Sequence, residues 1–92
     1  MLEYDKKKVG QFLKATREKA GLTQAEVANK MGYTSPQFIS NIERGASVAP
    51  LNLLARLMDM YGASPEPLIR IMLQSQSELL RKKLSVPKGG RG

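Results

Sequence analysis

The chain has 92 residues, 41% of them hydrophobic and 25% charged, which suits one domain with a modest core of short helices and is too apolar for a disordered chain. It contains no Cys and no His, which excludes a disulfide framework and any thiolate or imidazole metal site. No run of about 18 apolar residues and no signal-like start is present, so a soluble cytoplasmic protein is expected, and 15 Lys and Arg against 8 Asp and Glu give a formal charge of +7, making polyanions the first partners to consider.

Apolar residues recur at helical spacing, with no sustained alternation of period two, so the chain is expected to be all-α. Asp5 can cap a first helix in which Val9, Phe12, Leu13 and Ala20 share one face while Lys and Arg take the other, and Gly21 ends it. Thr23-Gln24-Ala25-Glu26 then has the Ser/Thr-x-x-Glu form of a capping box, with Leu22 and Val27 as a hydrophobic staple. This second, short helix runs through Ala28 and Met31 to a stop at Gly32.

Ser35 as cap and Pro36 at the first helical position predict a third helix over about 36–44, closed by Gly45. At about 100° per residue, Phe38, Ile39 and Ile42 share an arc with Ser35, and that arc is expected to be buried. The opposite arc holds Gln37, Ser40, Asn41 and Arg44 at i, i+3, i+4 and i+7. Two amides, a hydroxyl and a guanidinium on one stripe can all hydrogen-bond to base edges or phosphates.

Pro50 opens a fourth helix with Leu51, Leu54, Ala55, Met58 and Tyr61 on one face and Gly62 at its end, while Leu53, Leu57 and Met60 form a second apolar stripe. Ser64-Pro65-Glu66-Pro67 starts a fifth helix that continues to about Leu84; its first turns, Leu68 to Leu73, are apolar nearly all round, and Leu79, Leu80 and Leu84 prolong the strip. Two surplus apolar surfaces on neighbouring helices predict a homodimer, with Leu53, Leu57, Met60, Ile69, Met72, Leu73 and Leu80 at its interface. The domain is expected to occupy residues 1–84, followed by a disordered basic tail over 85–92 that includes Lys88 and Arg91.

A capped short helix, a glycine turn and a second short amphipathic helix make up the helix-turn-helix arrangement, whose second helix enters the major groove. The stretch LTQAEVANKMGYTSPQFISNIERG resembles the core of the phage-repressor and Cro type of DNA-binding domains, the Xre-like or lambda-repressor-like family. The resemblance extends from about Val9 to Ser64 and is carried by Val9-Gly10, Arg17, the LTQAEVA segment and the ISNIERG segment. It implies a five-helix bundle, here with an extended C-terminal helix. It also implies that Gln24 touches a phosphate and braces the recognition helix, that Gln37 and Asn41 read bases, and that Arg17 and Glu43 form a buried ion pair. Between Gly32 and Ile39 this chain has one residue more than the usual family pattern, and Pro36 brings no amide donor. Base reading is therefore expected from Gln37, Ser40 and Asn41.

The function expected is a sequence-specific regulator of transcription that binds double-stranded DNA as a dimer on a palindromic site, associated with the nucleoid when bound. Gln24, Ser35, Arg44 and Lys14 would contact phosphates. The alternative is an antitoxin-like or other protein-interaction module that binds a partner protein through its apolar helices. No enzyme, cofactor or metal is expected: there is no glycine-rich phosphate loop and no carboxylate pair in an apolar cleft.

Overall fold

In the computed structural model, which describes residues 4–85, Asp5 begins the first helix: its carboxylate accepts from the amides of Lys7 at 3.0 Å and Lys8 at 3.2 Å. The helices are α1 (Lys6–Lys19), α2 (Gln24–Lys30), α3 (Gln37–Glu43), α4 (Leu51–Tyr61) and α5 (Glu66–Leu84), and no strand occurs among the described residues. The capping box of α2 is formed in both directions, Glu26 N to Thr23 Oγ1 at 3.1 Å and Thr23 N to Glu26 Oε1 at 2.8 Å. These bonds satisfy two of the amides that a helix start leaves without intrahelical partners.

The core is built from Val9 and Leu13 of α1, Val27 and Ala28 of α2, Ile39 and Ile42 of α3, five residues of α4, and Leu68 and Met72 of α5. Helix α1 packs against α3 and α5, and α2 packs against α3. The approach of α1 to α3 is close enough to demand glycine. A Cβ on Gly10 would lie 2.5 Å from the Glu43 carbonyl oxygen and 2.6 Å from that of Ile42, against backbone that cannot give way.

Several expectations are corrected by burial. Ala20 lies past the end of α1 and is exposed, whereas Arg17 and Gly10 complete the buried face. Helix α3 starts at Gln37, one residue later than expected, and Ser35 is exposed rather than part of the buried arc. Phe38 is half-buried against the core and meets the Tyr33 ring edge to face at 5.1 Å. In α4, both apolar stripes turn inward: Leu53, Leu54, Leu57, Met58 and Tyr61 are buried, while Leu51 and Ala55 are exposed. Leu53, Leu57 and Met72 thus belong to the chain's own core and are not available at an interface between copies. Met60 is half-buried, and Ile69, Leu73 and Leu80 remain exposed.

Residues near the start of the described chain hold distant parts together. The Tyr4 hydroxyl donates to the Ala49 carbonyl at 3.1 Å and accepts from the Ala49 amide at 2.9 Å. The Asp5 amide donates to the buried Ser75 hydroxyl of α5, and Lys8 pairs with Glu78 at 3.4 Å. Of the predicted tail, residues 86–92 lie outside the described residues. No helix among those described is long and apolar enough to cross a membrane.

Candidate nucleic-acid interface

Three helices converge on one carboxylate. Glu43, at the end of α3, accepts from Arg17 Nε at 2.7 Å and Arg17 Nη2 at 3.2 Å, a two-pronged pairing of guanidinium and carboxylate. Its Oε1 also accepts from Gln24 Nε2 at 2.8 Å, and Arg17 Nη1 donates to the Leu22 carbonyl at 2.6 Å. Arg17 and Glu43 are both buried, so their charges are tolerated only because each has several partners. The hydrogen bonds to Glu43 hold the Arg17 pKa above its ordinary value, outweighing the burial that pushes it down. The ion pair implied by the family resemblance is therefore present, and it locks α1, the start of α2 and the end of α3 in one geometry.

On the outward side of α3 the predicted stripe is intact. Gln37 and Arg44 are exposed, Ser40 and Asn41 half-exposed, and all four project from one face of a helix whose other face carries Ile39 and Ile42 into the core. Gln37 Nε2 donates to Asn41 Oδ1 at 3.0 Å, and Arg44 Nη2 donates to the same oxygen. The Ser35 hydroxyl accepts weakly from the Gln37 amide at 3.4 Å, so it attends the helix start from outside it.

Beside the stripe lies a cleft of about 350 Å³ lined by Lys7, Gln11, Lys14, Gln24, Glu43 and Arg44. Three cations and two amides surround it, and its single acid already has Arg17 and Gln24 as partners, so the opening suits a phosphate. Lys14, Gln24 and Arg44 were expected to contact phosphates. Lys7 and Gln11 were not singled out, although they stand at i and i+4 with Lys14 at i+7, a spacing that puts all three on one helical face. Gly45 contributes by being small: it has φ +77°, and a Cβ there would sit 2.9 Å from Lys7 Cγ, so glycine lets the stem of Lys7 pass along the end of α3. Ser35 is on the other side of the stripe, in a shallow notch with Tyr33, Thr34, Gln37, Phe38 and Asn41.

Comparison with known proteins agrees with this geometry. A family model described as a helix-turn-helix domain matches residues 8–70. Among solved structures the chain is similar to the crystal structure of the clp gene regulator ClgR from C. glutamicum, at 26% identity and a TM-score of 0.66, over 83% of this chain and 96% of that one. No curated protein matches the sequence. With its capped α2, glycine turn, braced α3 and a family match over more than half its length, the chain belongs to the helix-turn-helix family of DNA-binding domains.

Proposed function

We propose that this DNA-binding regulator of transcription recognises a palindromic duplex as a homodimer, with α3 in the major groove. The observation that carries the reading is the exposed Gln37, Ser40, Asn41 and Arg44 stripe next to the cleft of Lys7, Lys14 and Arg44. The uncharged members of the stripe would read base edges, while Lys14, Arg44, Ser35 and Gln24 would hold the backbone and set the register. Gln24 has a double task in this reading, bracing α3 through Glu43 while its exposed part faces a phosphate.

A second copy is favoured as the partner on α5. Ile69, Leu73, Leu80 and Leu84 are exposed and, at 100° per residue, fall within about 60° of one another along the helix. Next to the first of them an open groove of about 390 Å³ between α4 and α5 is lined by Leu51, Leu54, Met58, Leu68 and Ile69, among others. A twofold dimer on a palindrome has to hold its two recognition helices one turn of DNA apart, roughly 34 Å.

Selection of duplexes from a random library by the purified protein tests the proposal. Enrichment of a palindrome is expected, and replacing Gln37 and Asn41 together by Ala should remove about 1 to 3 kcal/mol of sequence preference per base contact. An enriched half-site would remove the dimer from the reading. No enrichment at physiological salt, or a principal activity untouched by the double substitution, would overturn sequence-specific recognition in favour of a protein-interaction module.

A further inference from the structure

We infer that Arg44 fixes the direction of the amide pair formed by Asn41 and Gln37, and thereby makes Gln37 a reader of adenine rather than guanine. The inference rests on the DNA-recognition reading above and adds to it the chemical identity of one base contact.

Three side chains form a hydrogen-bond relay along the exposed face of α3. Arg44 Nη2 and Gln37 Nε2 both donate to Asn41 Oδ1. In an isolated Asn and Gln pair, turning both amides over would give an equally good bond with donor and acceptor exchanged. A guanidinium has donors only, so the Asn41 atom that meets Arg44 has to be the carbonyl oxygen. With Oδ1 facing inward along the relay, the Gln37 atom that approaches it has to be Nε2. The polarity of both amides thus follows from the one member that cannot be reversed. Glu43, the carboxylate that lines the neighbouring cleft with Arg44, is occupied by Arg17 and Gln24, which leaves Arg44 to Asn41.

One N–H of Gln37 is spent on Asn41, and what remains for a ligand is one N–H and the carbonyl Oε1. Adenine presents a matching acceptor and donor in the major groove, N7 and the N6 amino group. Guanine presents two acceptors, N7 and O6, so Oε1 would meet O6 with no proton between them. Reversing Gln37 to suit guanine would bring its Oε1 against Asn41 Oδ1, and Arg44 prevents Asn41 from turning to relieve that clash. Arg44 is in this sense a positioning residue acting through Asn41, and its remaining donors are free to take a phosphate as well.

The test uses the full chain and the duplex enriched by selection. At the position whose purine preference disappears in Gln37→Ala, adenine is exchanged for guanine and the ratio of the two dissociation constants is measured. The unmodified protein should favour adenine by about 5- to 150-fold, the range of a good bidentate contact. Arg44→Met should bring the ratio toward one, and Arg44→Lys, again a donor without an acceptor, should restore it whatever its overall affinity. A purely phosphate-binding Arg44 would instead weaken both duplexes equally in Arg44→Met, leaving the ratio intact and overturning the inference. A guanine preference, or indifference to the purine, in the unmodified protein would overturn it while leaving sequence-specific binding in place. Failure of selection to enrich any sequence would remove both.

Discussion

The carboxylate of Glu43 and the hydroxyl of Tyr61 show opposite ways of burying a polar group. Glu43 has three donors, and removing one partner of such a buried pair leaves an uncompensated charge, at a cost of about 3 to 5 kcal/mol. Tyr61 is 8% exposed and its hydroxyl has no hydrogen-bonding partner among the described residues. Burial pushes its pKa up to about 12. In the unfolded chain the group ionises near pH 10, so its contribution to stability is complete below that pH and is lost as pH rises from about 10 to 12, by roughly 2 to 3 kcal/mol. Tyr61→Phe should therefore match or exceed the parent in stability at pH 7, because it discards an unpaired polar atom. Denaturant titrations at pH 7 and pH 11 should show the variant losing less on the alkaline side; an equal loss in both proteins would show that Tyr61 ionises freely. At this scale the sequence revealed residue types and faces better than partners. Phe38, expected on the buried arc, packs against the core but stays half-exposed at its margin, and the stripe on α3 is legible from spacing alone. The Arg17 and Glu43 pair, 26 residues apart, was legible only through family resemblance, since periodicity carries no information about which helices meet. Lys7 and Gln11 carried a usable signal that net charge obscured.

Among the elements, α2 depends most on its ends, because seven residues give few internal hydrogen bonds and the first turn carries Gln24. Thr23→Ala should cost about 1 kcal/mol, typical for loss of a side-chain cap. The bonds from the Thr23 backbone and hydroxyl hold the Glu26 carboxyl below its ordinary range. That stabilisation is present above the ordinary Glu range and disappears as pH falls through the lowered pKa; Thr23→Ala removes only the hydroxyl's share of it, so the gap between parent and variant should narrow on acidification without closing, because the cap bond from the Glu26 amide does not titrate. Thermal melts at neutral and acidic pH measure this, and a constant gap between the two proteins would argue against the coupling. Helix ends were well marked in the sequence where a side chain forms the cap, as at Asp5 and Thr23. The start of α3 slipped by a residue because Ser35 and Pro36 each fit more than one position in a turn. In α4 the expected division into an inner and an outer stripe failed because the helix is covered on two sides, a fact of packing that a single helical pattern does not encode.

For the whole molecule, the decisive quantity is the apolar surface left on α5 after the core is complete. Leu73 is 61% and Leu80 52% exposed, whereas Leu53, Leu57 and Met72 are already used within the chain. If the proposed homodimer pairs on this strip, Leu73→Glu combined with Leu80→Glu should convert it to a folded monomer, read by sedimentation equilibrium alongside circular dichroism, because both positions lie outside the core. Persistence of a dimer in that variant would move the interface elsewhere. The sequence made the length of α5 and its excess of leucine plain. It could not divide that excess between inside and outside, because the apolar residues of the first turns surround the helix, and which of them are covered depends on how α5 packs on the rest of the chain, α1 included.

The clasp at Tyr4, Asp5 and Lys8 bears on the order in which the chain can assemble. Helices α1 to α3 and their turns lie close together in sequence, so their contacts require only short loops to close. Tyr4, by contrast, waits for Ala49, 45 positions later, and Asp5 and Lys8 wait for Ser75 and Glu78, each 70 positions later. During synthesis the recognition unit therefore has all its local partners before the clasp can shut. Closure of the clasp then ties α5 to a helix-turn-helix unit that is already complete, so on the proposed dimer a chain arrested before α5 emerges would carry the polar stripe of α3 without the apolar strip that pairs it with a second copy.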